Sequence, residues 1–369
     1  MRCFWKLCIG FALVSSFHSA WSQIKIGQTV GLTGLVSGTV KEALGGAKLY
    51  IDSINAKGGV AGERIELITL DDQFDVKQAA ENARILIEEK KVIALFLNRG
   101  TPHTQAIMPL LAKYNIPLIA PSTGATLLHK PVNRHIFNVR SSYHREVEKI
   151  VDHLSTVKTD RIALVHVDDS FGADALAGAE AAFAKNKITP VVVLKADRSK
   201  PDFASIVPAL IKANPQTILW VASGTAVSEG IKALRAAGST SAVVTLSNNA
   251  SEGFIKSLGT HGEGVIVTQV FPAERAINYA MVREAQGLAK AAKQNLSPAM
   301  LEGFAGAKVL VEGLRRAGKT PTSERLITAL NSMSRFDLGG LVVGYGSQDH
   351  TGLDFADLSI IGRDSKFRR

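Results

Sequence analysis

The chain has 369 residues, 46% of them hydrophobic and 21% charged, with a formal charge of +10. That is length for two domains and apolar content for two cores, which excludes a disordered or fibrous protein. The basic residues form no run of about five like charges and no platform of alternating aromatic and basic side chains, so they read as a solvated surface with a mild bias toward anionic partners, not as a nucleic-acid site.

The first segment, "MRCFWKLCIGFALVSSFHSAWSQ", has the layout of a secretion signal: Arg2 and Lys6 at the start, an apolar centre from Leu7 to Val14, and Ala20-Trp21-Ser22 as a small-x-small cleavage site. Its apolar centre falls short of the roughly 20 residues a membrane span needs. Residues 1–22 are therefore expected to be removed near Ser22/Gln23, leaving a periplasmic protein with no later span. Without Arg2 and Lys6 the charge of +10 becomes +8. Both cysteines, Cys3 and Cys8, lie inside the signal, so the mature chain has no disulfide, thiolate metal site or cysteine nucleophile.

From Ile24 onward short β-rich runs alternate with helical patterns. "IKIGQTV" reads as a strand, 40–57 as a helix ending at Gly58-Gly59, "RIELITLD" (64–71) as a strand, 75–90 as a helix, "VIALFL" (92–97) as a strand, about 102–114 as a helix, and "IPLIA" as a strand leading into "PSTGA". A second series follows: strands at 161–167, 190–195, 217–222, 241–246 and 264–270, with helices at 171–186, 202–213 and 225–237. A helical stretch over 275–332 and two strand-like runs, "LVVGYG" and "DLSIIG", finish the chain. Two such series predict two α/β lobes, each a doubly wound parallel sheet. Ligands of open parallel sheets sit beyond the carboxyl ends of the strands, where helix N-termini expose unpaired N–H groups.

Motifs for catalysis are absent or out of context. "GLRRAGKT" (313–320) fits a phosphate-loop spacing, but Ala307 to Ala317 reads as a helix with Gly318 as its C-cap and Thr320-Pro321 opening the next. "GQTVGLTG" (27–34) lacks the dinucleotide spacing and reads as a loop of close backbone approach or a plain turn. The nine histidines show no metal-ligand spacing, and no G-x-S-x-G elbow occurs. His166 reads as core or rim, and Asp168-Asp169 as a helix cap. No enzyme activity, metal or cofactor is expected. What remains is four strand ends with small polar residues at a helix start: "NRGTP" (98–102), "PSTGA" (121–125), "ASGTA" (222–226) and "LSNNAS" (246–251). Each alone is an ordinary cap; two from each series predict one cleft lined from both lobes.

The stretches "IKIGQTVGLTGLVSG", "GAKLYIDSINAKGGVAGERIELITLDDQFDVKQAAENARILI", "IPLIAPSTGATLL" and "RIALVHVDDSFG" resemble the type I periplasmic substrate-binding proteins of ABC importers, the Leu/Ile/Val-binding protein family, over essentially the whole mature chain. The resemblance implies lobe 1 at 23–141 and 272–341 and lobe 2 at 142–271 and 342–369. Three crossovers would join them near Ser141–Arg145, Thr268–Pro272 and Val342–Tyr345. A small solute would be clamped by hinge closure and delivered, by a monomer, to an inner-membrane ABC permease. A sensory receptor on the same fold is the alternative. Family ligand positions carry over to Gly100 and Thr101, to Ser122, Thr123 and Gly124, to Phe171, to Ser223 through Thr225, and to Thr39 and Phe304.

Two departures bear on the ligand. Where the family's amino-acid binders place an acid for the ligand ammonium, this chain has Ser247, Asn248 and Asn249, and the family's turn hydroxyl that accepts from the same ammonium aligns with Gly124, which has no side chain. Arg99 adds forked donors suited to a carboxylate if it faces the cleft; otherwise it caps the lobe surface or bridges the closed lobes by a salt bridge. Together they favour a carboxylate or amide-like ligand without an ammonium.

Overall fold

A computed structural model describes residues 23–369; the expected signal and its cleavage site lie outside the described residues. The first sheet contains β1 (Gln23–Val30), β2 (Arg64–Asp71), β3 (Ala94–Phe96), β4 (Leu118–Ile119) and β5 (Ile136–Phe137), in the order β2-β1-β3-β4-β5 with every pair parallel. Its connecting helices are α1 (Ser37–Ala56), α2 (Val76–Glu88) and α3 (Thr101–Tyr114). The second sheet takes β6 (Ile162–Val167), β7 (Val192–Ala196), β8 (Thr217–Val221), β9 (Ala242–Thr245) and β10 (Ile266–Gln269), these five parallel to one another. With them run α4 (Tyr143–Thr156), α5 (Ser170–Asn186), α6 (Phe203–Ala213), α7 (Thr225–Ala236) and α8 (Glu252–Leu258). Central strands such as β3, β6 and β8 are buried along their whole length, as expected for sheets covered by helices on both faces.

The expected helical stretch after both series is three helices: α9 (Ala280–Ala291), α10 (Pro298–Ala317) and α11 (Ser323–Asn331). They return to the first lobe, where α10 lies along α1 over a core that includes Ile26, Phe96, Leu301 and Leu310. The two helices touch backbone to backbone: a Cβ on Gly303 would fall 1.7 Å from the Ala43 carbonyl oxygen, and one on Gly46 would fall 1.8 Å from that of Met300. The segment 313–317 is the last turn of α10, and Gly318 at φ +79° ends it, so it is no phosphate loop. The next helix opens two residues later than Thr320-Pro321, with Thr322 as the cap that accepts from the Arg325 N–H.

The C-terminal runs depart from the expected pattern. "LVVGYG" does not join the second sheet: β12 (Val342–Val343) pairs antiparallel with β11 (Phe336–Asp337) in a separate ribbon. Tyr345 and Leu353 then pack in the first lobe's core, the Tyr345 hydroxyl donating to the Asn138 carbonyl at 2.6 Å and Leu353 N to the Val139 carbonyl at 3.0 Å. The third passage between lobes therefore falls after Leu353, not at Val342–Tyr345, and residues 342–353 belong with the first lobe. Only β13 (Asp357–Ile361) and β14 (Phe367–Arg368) extend the second sheet, and both do so antiparallel, giving β14-β13-β10-β9-β8-β6-β7. The first two passages lie between β5 and α4 and between β10 and α9. The sequence reading left out α4, although Ser142 caps it and Val147, Ile150, Val151 and Leu154 form a buried helical stripe.

Candidate functional site

The four polar strand ends meet at the seam between the lobes. Gly100, at φ +97°, turns the chain from β3 into α3, and a Cβ there would stand 2.5 Å from the His103 ring. Ser122 N donates to the Asn98 carbonyl at 2.7 Å, and the Thr101 and Thr123 hydroxyls are 2.7 Å apart, so the two first-lobe turns are knitted together. In the second lobe, Asn248 Nδ2 donates to the Ala222 carbonyl at 3.1 Å and to Ser223 Oγ at 2.9 Å, while Gly224 N donates to Asn249 Oδ1 at 2.8 Å. Gly124 has no room for a side chain, since a Cβ would lie 2.6 Å from the Ser141 carbonyl oxygen.

Contacts across the seam hold the lobes shut. Arg99 reaches from the first lobe to donate to the Asn248 carbonyl at 2.5 Å, and also donates to Ser122 Oγ at 3.2 Å. Thr39 and Ser251 hydroxyls lie 2.7 Å apart, Thr225 N donates to the Leu35 carbonyl at 3.2 Å, and Glu42 accepts from Gly253 N at 2.7 Å. Gly224 at φ +55° is required at that rim: a Cβ would sit 1.9 Å from the Leu35 carbonyl oxygen. Phe74 of the first lobe is stacked on His103 at 4.4 Å and covered by Arg198 of the second lobe at 5.1 Å. Beside Arg99 and Ser122 the space left is a void of about 10 Å³, walled by Val30, Val40, Ala43, Leu44 and Leu97. All of its walls belong to the first lobe, and it is too small for a solute of several heavy atoms.

Other expected positions fall differently. Phe171 is buried against the Tyr143 ring at 4.7 Å, within the second lobe's core. Thr225 brings its backbone N–H to the seam while its residue is exposed. Phe304 corrects its sequence expectation: it is fully buried in the first lobe's core, edge-on to Tyr50 at 5.1 Å, because it shares a helical stripe with Leu301 and Ala305 that faces α1. Arg99 neither caps the surface nor makes a salt bridge; no carboxylate lies within 4 Å of it among the described residues. Asp169 caps α5 and pairs with Arg198, and buried His166 turns Nδ1 to the Val167 carbonyl.

A cluster the sequence reading passed over lies just behind the seam. Arg140, from the first passage between lobes, binds Glu146 of α4 at 2.5 Å and Ser247 Oγ at 2.6 Å, and faces Glu302 of α10 at 3.7 Å. Glu146 also accepts from Ser247 N at 2.9 Å and from the Thr268 hydroxyl. Burial alone would lower the Arg140 pKa, but Glu302 and Glu146 outweigh it and hold the group above its ordinary value. Arg99, also fully enclosed, goes the other way, because desolvation dominates. The available signal was a charge inside an apolar context, in "IFNVRSSY" and in the helix "PAMLEGFAGA".

Two histidines make the fold acid-sensitive. Burial lowers both His103 and His129 to about 4, and neither ring nitrogen of His129 has a hydrogen-bond partner. A folded-state pKa below the unfolded value of about 6.5 means stability is complete above that pH and is lost as pH falls toward 4, by about 3 kcal/mol per residue at most. Asp72, raised to about 6 by burial, works in the opposite sense and offsets about one of them as pH falls. Melting temperature is therefore expected to drop between pH 6.5 and 4.5, and less so in His103→Phe, which keeps the stack on Phe74; equal drops in both proteins would refute the assignment to His103.

Among the described residues no helix is long and apolar enough to cross a membrane, and no cluster of three His, Cys, Asp or Glu side chains could hold a metal. The profile of the periplasmic binding protein family matches residues 23–354. Leu/Ile/Val-binding protein homolog 3 of Brucella melitensis is 24% identical over 88% of this chain and 87% of its own length. A substrate-binding periplasmic protein of Ralstonia solanacearum superposes with a TM-score of 0.86 at 27% identity, covering 93% of this chain and 99% of that one. An extracellular ligand-binding receptor of Verminephrobacter eiseniae gives 0.84 at 26% identity, covering 94% and 100%. With two doubly wound lobes, a shared seam and a profile match over nearly all the described residues, the chain belongs to the periplasmic binding protein family, of the type I, Leu/Ile/Val-binding protein kind.

Proposed function

We propose that this protein is the solute-binding component of an ABC importer: a periplasmic monomer, freed of its signal near Ser22/Gln23, that clamps a small organic solute between its lobes and presents the closed form to a membrane permease. It transforms nothing. The observation that carries this reading is the convergence of four polar turns, two from each lobe, on one seam that must part to admit a solute and can close over it. The ligand positions are Gly100, Thr101, Ser122, Thr123 and Gly124 on the first lobe and Ser223, Thr225 and Asn248 on the second, with Thr39 at the rim and Arg99 between them. Homologues described as Leu/Ile/Val-binding proteins support the importer over a sensory receptor.

A thermal-shift screen of amino acids, acids, amides and ureas tests the reading, because a solute that binds only the folded form raises its melting point. For a solute found this way, Thr101→Ala and Ser122→Ala are each expected to weaken binding by about 10- to 100-fold, the loss of one hydrogen bond to a polar or charged group, with melting still cooperative. Unchanged affinity in both variants would remove these turns from the site, and consumption of the solute would end the carrier reading.

A further inference from the structure

Arg99 is an enclosed cation with a poor set of partners. Its residue is 4% exposed, and its guanidinium donates to one hydroxyl, Ser122 Oγ, and one peptide carbonyl, that of Asn248. The nearby charges do not answer it. Glu146 is taken by Arg140, Ser247 N and Thr268, and Glu302 stands 3.7 Å from Arg140, so Arg140 has two carboxylates and Arg99 has none within 4 Å. Removing a guanidinium from water without an anion at hydrogen-bond distance costs several kcal/mol. The contact to Asn248 is neutral, single and reversible: that residue's own Nδ2 is tied back to Ala222 and Ser223, so only its carbonyl is offered across the seam.

The wall beside Arg99 states the rest of the chemistry. Val30, Val40, Ala43, Leu44 and Leu97 line the void next to the guanidinium and Ser122. A bare inorganic oxyanion has no use for that wall. An organic acid fits both halves, with its carboxylate on the two forked donors and its apolar body against the valines and Leu97. Opposite, the second lobe brings no carboxylate to Arg99: Asn248 presents its backbone carbonyl, Asn249 is tied to Ala222, Thr245 and Gly224, and Glu302 of the first lobe faces Arg140 at 3.7 Å.

We propose that the solute is an apolar monocarboxylate without an α-ammonium group, and that its carboxylate replaces the Asn248 carbonyl on Arg99 as the lobes close over it. This rests on the importer reading and specifies its substrate class. With the lobes shut, Arg99 holds the seam through Asn248; a ligand carboxylate would take the same donors, so latch and receptor are one residue.

The test pairs acids with their isosteres on the purified protein: 4-methylpentanoate, 4-methylpentanamide and leucine, then phenylacetate and phenylacetamide, with inorganic phosphate as a further arm. At least one of the two acids is expected to raise the melting temperature at concentrations up to about 10 mM, and to bind more than about tenfold tighter than its amide and, for the aliphatic series, than leucine. Arg99→Gln is expected to lose about a hundredfold in affinity for that acid while melting cooperatively, and Arg99→Lys, which keeps the charge but not the fork, to lose less. The proposal is overturned if amide or leucine binds as well as the acid, if Arg99→Gln retains acid affinity within about threefold, if phosphate alone binds, or if neither acid binds. A neutral solute or leucine bound with compaction in small-angle scattering would leave the importer reading standing and remove this assignment; binding of no solute of any charge in the broader screen would remove both.

Discussion

Replacing Glu146 by alanine is expected to lower the unfolding free energy by about 3–5 kcal/mol, the range for breaking a buried ion pair from one side. Glu146 and Arg140 are 0% and 1% exposed, so neither charge can turn to water when the other is lost. Arg140 would keep its bond to Ser247 Oγ and, of its two carboxylates, only the 3.7 Å approach of Glu302, and Ser247 N and the Thr268 hydroxyl would lose their acceptor. These partners sit on the first passage between lobes, on α4, at the end of β9 and on β10, so the damage falls where the lobes are joined. Urea unfolding measures it. Glu146→Gln, which keeps an acceptor oxygen, should lose less, and the combined Arg140→Met, Glu146→Leu and Glu302→Leu should recover a large part of the loss, since packed apolar side chains replace the whole desolvated cluster and leave no buried carboxylate without a cation. A single-variant loss under about 1 kcal/mol would mean water reaches the cluster.

Gly303→Ala is the second large effect, and its sign runs against helix propensity. An alanine in mid-helix is ordinarily worth up to about 1 kcal/mol over glycine. Here the added methyl would lie 1.7 Å from the Ala43 carbonyl oxygen and 3.0 Å from Ala47 N, so α1 and α10 must separate along their length. Overpacking of this kind costs about 1–3 kcal/mol where side chains can yield and more where the obstacle is backbone, as it is here. The net expectation is a loss of about 3 kcal/mol in chemical unfolding. Gly45→Ala on the same α1, whose Cβ position meets nothing within 4 Å, should be neutral or stabilising. If the two substitutions behaved alike, the helices would not be in the close contact described.

Much of the architecture was legible because period and punctuation agree. "RIELITLD" alternates and is bounded by turns, and it is β2 residue for residue; the Gly58-Gly59 stop and the Gly318 cap also mark real helix ends. What strand patterns do not encode is the partner. "LVVGYG" and "DLSIIG" look alike, yet the first forms a ribbon on lobe 1 and the second an antiparallel edge on lobe 2. Residue type alone likewise leaves direction open. Phe304 and Phe171 are both aromatics at family positions, and each turns into its own lobe's core, Phe304 against Tyr50 and Phe171 against Tyr143. The polar turns could be read one by one, since each caps or precedes a helix. The Arg140, Glu146 and Glu302 cluster could not, because Glu302 comes from a segment remote from the other two and each alone is an ordinary charge.

The late return of the chain to the second sheet has a consequence for biosynthesis. The first lobe is unfinished until α11 and the segment through Leu353 have been made, and the second lacks β13 and β14 until the last residues emerge. Translation runs from the amino end, so neither half can complete its fold while most of the polypeptide is still being assembled on the ribosome. A nascent chain built this way lacks a finished second sheet until β13 and β14 have been made.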